Sequence, residues 1–538
     1  MFKGCFFIII TLLINSLTSF CQNKEYPNQY LPYNFESYQK IESKIFDKEI
    51  KFHTSLKPHF SDDSLISKSL ENVSNFKIPQ NKTSWIKRKL FDEHLLEINN
   101  KEYTFFADFL PDFQIGYTSD TQNKTWLNTR GYQFGGTIGN KFSFYTSGYE
   151  NQALFPKYLS DYVQSTNIIP GQAYNRSTQE STKDWSYATA LLSFSPIKYL
   201  NLSLGQDKIF IGDGYRSMLL SDYGSNYPFF KSTVSLGNVQ YTAIWAGFQE
   251  PKATKLSYDA GNRKKGGVFH YLDWNVNNRL SFGFFDAIIW AATDDLGNRR
   301  GFDVSYVNPF IFLRPLEASN GSPDNALIGF TSKYKLLKGL TLYGQFALDE
   351  FEAKNFFKGN GSARNKWGLQ IGARGANIFE IKGLNYLLEY NTARPYTYSS
   401  RNLIGSYTNY SEPLAHPFGA NFKEFVGTLS YAIHRFNFNT KINLAKYGYD
   451  IGTGNYGKDP FKPYNTSVSS AGNKIAQGLE TSLFYLDNRI SYLINPKTNL
   501  RLELGLVARK ESNNTFDNKT TWVTFGLRSS FRNIYYDF

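Results

Sequence analysis

The chain has 538 residues, among them 47 Phe, 38 Tyr and 41 Gly, and a formal net charge of +13 from 59 Lys+Arg against 46 Asp+Glu. So much aromatic side chain at a mean hydropathy of −0.42 fits strands with one face on lipid and the other in a wet lumen; beyond residue 21 no apolar run reaches the ~18 residues of a membrane helix, so a membrane-bound form crosses as a closed barrel. Lys and Arg are scattered, without the basic stripe or finger motif of a nucleic-acid reader, and a wall of acidic polysaccharide or lipopolysaccharide is as good a partner for this field.

Taken in order, Met1–Cys21 reads as a secretory signal: Lys3, an apolar core over Phe6–Leu17, then Thr18, Ser19 and Cys21 before a cleavage at Gln22. A lipoprotein signal acylated on Cys21 is the alternative, disfavoured by the bulky Phe20 beside it. Both cysteines, Cys5 and Cys21, lie in this leader, so the mature chain has no disulfide. Residues 22–101 are rich in Lys, Glu and Ser and lack period-two alternation, which predicts a small, mostly helical periplasmic region. Within it, Ser61, Asp62, Asp63 and Ser64 offer a cap for a helix through Leu65, Ile66 and Leu70. Trp85, Ile86, Leu90, Phe91, Leu95 and Ile98 predict an amphipathic helix from Ser84 to Asn99. His53, His59 and His94 read as ordinary polar positions.

From residue 102 to 538 the pattern is that of strands. Leu500, Leu502, Leu504 and Leu506 alternate with Arg501, Glu503, Gly505 and Val507. Leu340, Leu342, Phe346 and Leu348 alternate with Thr341, Tyr343, Gln345 and Asp349. Phe436, Phe438, Ile442 and Leu444 do so with Asn437, Asn439, Lys441 and Asn443. Short turns near Gly139, Pro196–Tyr199, Gly237, Val276–Asn278, Leu337–Gly339, Asn377–Gly383, Arg435 and Asn495–Asn499 alternate with long loops near 119–129, 151–184, 209–230, 250–265, 291–324, 352–364, 394–420, 448–473 and 511–517. Eight turns and nine loops predict an antiparallel outer-membrane barrel of about 18 strands with both mature ends in the periplasm. The strand-like stretch 302–316 belongs to an outer loop, because a further spanning strand would break the alternation. Trp126, Trp185, Trp290, Trp367 and Trp522 fall beside the long loops, where an aromatic girdle belongs. The apolar end, Thr520–Phe538, reads as the last strand pairing with the first, with Tyr535, Tyr536, Asp537 and Phe538 as the C-terminal signal that resembles the insertion signal of such barrels.

No enzyme signature stands out, and neither a cofactor nor a metal is expected. His270 and His434 fall in strands without a serine elbow, and Asp294–Asn298 lacks the ligand spacing of a calcium loop. One loop is conspicuous: Gly212-Asp213-Gly214-Tyr215-Arg216-Ser217-Met218-Leu219-Leu220-Ser221-Asp222-Tyr223. It resembles the G-x-G-x-R-S-L-x-L-S-D stretch of the capsule-assembly Wzi family of outer-membrane proteins. Asn308-Pro309 with Arg314 and Glu317, and Gly321–Leu327, match further pieces; Met218 stands where the pattern usually has leucine.

The resemblance implies a non-enzymatic, 18-stranded barrel that binds or anchors surface polysaccharide. It also points to a branch in Bacteroidetes associated with gliding on surfaces, and so to gliding or secretion machinery as partners. Arg216, Ser217, Asp222 and Tyr223, with Arg299, Arg300, Arg314, Asp324 and Asn325, are the candidate polysaccharide-binding or plug residues. Arg216 and Asp222 are expected to meet Arg299, Arg300 or Arg314 if the loop folds inward. Loop residues Tyr396, Tyr398, Arg401, Tyr407, Tyr410, Tyr447, Tyr449 and Tyr456 offer aromatic faces to sugars. The rival reading is a channel for small polar solutes, which a glycine-lined open lumen would favour.

Overall fold

Alternation builds the wall. Leu502, Leu504 and Leu506 are 42–50% exposed while Arg501 and Glu503 between them are at most 9%, so leucine faces lipid and charge faces the lumen. The computed structural model describes residues 29–61, 84–120, 124–179, 181–257, 261–300, 304–307, 324–350, 352, 354 and 358–538. The signal segment, the helix expected through Leu70, and the matches at Asn308-Pro309, Arg314, Glu317 and Gly321–Pro323 lie outside them.

Eighteen antiparallel strands close the barrel. The first nine are β1 (Tyr103–Thr118), β2 (Lys124–Ile138), β3 (Phe142–Leu154), β4 (Thr182–Ile197), β5 (Leu200–Asp207), β6 (Tyr227–Leu236), β7 (Val239–Glu250), β8 (Arg263–Asn275) and β9 (Leu280–Ala291). Then come β10 (Asn325–Leu337), β11 (Leu340–Glu350), β12 (Lys366–Ala376), β13 (Leu384–Ala393), β14 (Phe422–Ile433), β15 (Phe436–Tyr449), β16 (Leu479–Asn495), β17 (Leu500–Ser512) and β18 (Asp517–Arg528). The short turns read from the sequence fall between consecutive strands, and the long loops between the others; most of the stretch 302–316 lies outside the described residues. Gly339, at φ 79°, turns β10 into β11 in a conformation that suits glycine. His434, placed in a strand by its sequence, is instead the turn residue between β14 and β15, with φ 54°.

Closure differs from the expectation for the chain's end. Trp522–Leu527 of β18 pairs with Phe113–Thr118 of β1, and the wall stops at Arg528. Arg528 points inward to Asp112 and lies 3.0 Å from Glu503, and beyond it the backbone leaves the sheet. Tyr535, Tyr536, Asp537 and Phe538 therefore do not close the barrel; they lie in the lumen, where Tyr535 and Asp537 are buried. Below the seam, Leu96–Asn99 pairs with Thr104–Ala107 and covers the free edge of β1.

The N-terminal region also departs from a periplasmic cap. Residues 30–61 run inside the barrel, and α1 (Phe35–Ile45), capped by the Asn34 side chain, buries Tyr38, Ile41 and Ile45. Its Glu42 meets Arg374 of β12 at 2.9 Å, both buried. The helix expected over Ser84–Asn99 is confined to α2 (Trp85–Phe91), because its second half takes the strand pairing just described.

The tryptophans are a further correction. Trp185 and Trp522 are 1% and 5% exposed and point inward, where Trp185 donates to Gln172 at 3.0 Å and Trp522 to Thr125 at 2.7 Å. Those two indoles pack against inserted protein, whereas Trp126 and Trp367 are half-exposed and Trp290 packs on Tyr306, so the girdle expectation fails for Trp185 and Trp522 alone.

An uninterrupted ladder of 18 strands predicts heat-modifiability. Unboiled protein should run faster than boiled protein on a detergent gel, and unchanged mobility with a helical circular-dichroism spectrum would refute the architecture.

Candidate functional site

β5 has only eight residues, and the chain beyond it turns into the lumen instead of rising to the rim. Phe210-Ile211 pairs with Leu56-Lys57 of the N-terminal segment, so two inserts share a small sheet inside the barrel. Ile209–Tyr223 is buried throughout. The conspicuous loop is a plug.

Each motif residue has a local reason. Gly212 has φ 152°, a region open to glycine alone among ordinary residues. At Gly214 a Cβ would run into the Glu389 carboxylate; its absence lets the N–H groups of Tyr215 and Arg216 donate to that carboxylate at 2.9 and 3.1 Å. Ser217 Oγ donates to Ile211 O at 2.6 Å and accepts from Leu219 N–H, closing the turn. Met218, Leu219 and Leu220 are fully buried in the main apolar cluster, where methionine substitutes for leucine at small cost. Asp222 accepts from Asn533 at 2.6 Å and Tyr535 OH at 2.7 Å. Tyr223 OH lies 3.2 Å from Tyr162 OH.

Arg216 is the centre. It is 1% exposed and meets Glu424 of β14 at 2.9 Å and Asp537 of the tail at 3.2 Å. The same Glu424 carboxylate accepts from Asn391 at 3.0 Å and Asn443 at 2.7 Å, and His416 Nε2 lies 2.7 Å from it. Asp537 also accepts from Lys441 and Tyr215. Burial opposes its charge, yet Arg216 and Lys441 outweigh that and hold the carboxyl well below the usual range. Nearer the short turns, Asp213 meets Thr54, Ser55 and Lys333. Burial opposes this charge too, but Lys333, Lys57 and the two hydroxyls bring the carboxyl down to about 2. Buried charges survive when paired and hydrogen-bonded in this way.

The upper loops seal the plug. Tyr398 and Tyr407 donate to the carbonyls of Met218 and Leu219, each at 2.8 Å. Glu412 accepts from Gly171 N–H at 2.7 Å and from Ser225 N–H and Oγ at 2.9 Å, tying three loops together; burial raises its carboxyl to about 7. From the side, α3 (Lys157–Thr166) brings Tyr162 against Phe538, and Tyr158 donates to Tyr536 O. Among the described residues the lumen keeps voids of about 140 Å³ beside the tail, about 360 Å³ reaching the short-turn rim along β13–β17, and about 50 Å³ between the N-terminal segment and Asp222.

The predicted residues thus separate into two groups. Arg216, Ser217, Asp222 and Tyr223 are in the plug, and none of them meets Arg299 or Arg300; their partners are Glu424, Asp537, Asn533, Tyr535 and Tyr162. Arg299 is exposed on an outer loop, where Arg300 meets Asp324 at 2.8 Å and Asp324 accepts from Tyr306. Asn325 opens β10 beside them, and Arg314 is outside the described residues. Of the loop tyrosines, Tyr396, Tyr398, Tyr407 and Tyr447 are buried, so they hold loops rather than present faces to a sugar; Tyr449 stays exposed. Sequence reasoning missed Glu412, His416 and Glu424: Glu412 and Glu424 find Gly171, Ser225 and Arg216 far away in sequence, and His416 reaches the nearby Glu424 only because its loop folds inward.

No protein-family model matches the chain, and no curated protein matches it. In three dimensions it is similar to Wzi, an outer membrane protein involved in group 1 capsule assembly in Escherichia coli and a carbohydrate-binding β-barrel, at 14% identity and a TM-score of 0.56, covering 94% of this chain and 100% of that one. It is more distantly similar to OprD of Pseudomonas aeruginosa, at 11% identity and 0.41, covering 78% and 94%, and to OccAB2 of Acinetobacter baumannii, at 7% and 0.42, covering 79% and 97%. The fold is that of an outer-membrane barrel.

Proposed function

We propose that this protein is a non-enzymatic outer-membrane barrel that binds surface polysaccharide at its loop end. One observation carries the reading: five inward segments fill the lumen and are locked by buried charge pairs around Arg216, an interior suited to holding loops in place rather than to passing solutes. The bound polymer is met by side chains that stay exposed above the plug, among them Tyr174, Arg299, Arg401 and Tyr449. Arg300, Asp324 and Asn325 brace that surface, while Arg216 and Asp222 fix it from below. Wzi, which shares the fold, is a carbohydrate-binding barrel. The Tyr-Tyr-Asp-Phe end and the exported region ahead of the barrel further resemble the gliding motility protein RemB of Bacteroidetes, so attachment of the polymer serves movement over surfaces, with gliding machinery as a partner and a cleaved leader delivering the chain.

The test is titration of the purified barrel with the surface polysaccharide of its own cells. Saturable binding is expected, weakened about tenfold when Arg299 and Arg401 are both changed to Ala, since each removes charge-assisted hydrogen bonds. Absence of binding, together with large steady single-channel conductance, would instead support the solute channel.

A further inference from the structure

The outer face of β14–β18 breaks a rule of sheet design. Lys423 of β14 stands directly opposite Lys446 of β15, and Lys510 of β17 directly opposite Lys519 of β18. Like charges facing across a strand pair repel. All four side chains point outward and lie within three residues of the loop end of their strands. Phe425 and Leu444 lie two residues toward the membrane from Lys423 and Lys446, and Phe484 pairs with Lys510, all three exposed on the same face. Between the two pairs lie Ser482 and Ser512, and the surface is hollowed into a groove of about 460 Å³.

The local carboxylates do not cancel this charge. Glu480 is 3.2 Å from Lys446, and Asp517 is 3.6 Å from Lys510 and 3.2 Å from Lys519. Four lysines against two acids leave an excess of two positive charges. Among the described residues no carboxylate lies within 4 Å of Lys423. Ammonium groups on flexible stems suit phosphate as point charges, and the pairs are three strand spacings apart across the sheet and two residues along it, roughly 16 Å. That is the length scale of a disaccharide phosphorylated at both ends.

We infer that this rim is a binding site for a phosphorylated glycolipid of the outer leaflet, a bisphosphorylated disaccharide of the lipid A type. One phosphate sits at Lys423 and Lys446 and the other at Lys510 and Lys519. The serines between them face the sugar, and the acyl chains lie along Phe425, Leu444 and Phe484. The site is on the lipid face and independent of the lumen, so it holds the barrel to its leaflet whether or not the loops above carry polysaccharide.

The full-length protein in neutral detergent is titrated with bisphosphorylated lipid A, with the same lipid enzymatically dephosphorylated, and with phosphatidylglycerol. The bisphosphorylated form should bind at least about tenfold tighter than either control and lose that margin in high salt. Changing all four lysines to Gln should abolish the preference, while changing all four to Arg should retain it. Equal binding of the three lipids by the unaltered protein overturns the inference without recourse to any variant. Retention of the preference by a heat-modifiable four-Gln variant overturns it as well.

Discussion

Removing Gly212–Tyr223 and joining the ends with a short glycine linker should turn a closed barrel into a conducting one. The deletion takes out Arg216, on which the tail is locked, and the carbonyls that hold the upper loops. The wall does not depend on this loop, because its strands are satisfied by their own ladder and β5 pairs with β4 and β6 along its length. A barrel of 16–18 strands leaves an aqueous channel when its interior is empty, and here the interior is filled by insertion. Deletion strips Glu389, Glu424, Gln345 and Gln370 of their loop partners. It also admits water to those groups, so the loss is far smaller than in a dry core. The variant should stay heat-modifiable and show discrete conductance steps in planar bilayers that the intact protein lacks. Steps of equal size in the intact protein would mean that the lumen is already open and would favour the channel reading.

That experiment bears on what the sequence could reveal. Leu500–Arg509 announces its faces because its lower half borders lipid on one side and buried charge on the other. Nearer the loops the signal fades for a physical reason. The lumen there is packed with protein, so the inward face turns apolar as well. β9 carries Ala287, Ile288, Ile289 and Trp290 in one buried run, and the tryptophans of β4 and β18 point inward for the same cause. The tail shows the limit most clearly. Phe531, Ile534, Tyr536 and Phe538 have the composition of a strand, and nothing local says that they leave the wall. What draws them in is Asp537 meeting Arg216, 321 residues away in sequence. The loop motif was legible as unusual; that its arginine binds Glu424 and the tail, rather than another loop, was not.

Arg216 is therefore the residue whose loss should cost most. Changing it to Ala leaves Glu424 and Asp537 buried beside one another with less positive charge, and breaking a buried pair in this way costs about 3–5 kcal/mol. Lys at the same place keeps the charge but not the fork that reaches both acids, so its cost should fall between the two. Changing Glu424 to Gln in the Arg216→Ala background should recover part of the loss, because the stranded carboxylate is gone; denaturant unfolding in detergent measures all four corners of the cycle. Unaltered stability in Arg216→Ala would mean that the pair does not hold the plug. The functional consequence follows from the second anchor. With Arg216 and Asp222 both neutralised, the loop is freed from Glu424, Asn533 and Tyr535 together, while the strand ladder is untouched. Heat-modifiable barrel should then remain in the outer membrane while cells lose retention of surface polysaccharide. Disappearance of the barrel itself would make both residues supports of the fold alone, and full retention on an intact barrel would separate the plug from the polymer.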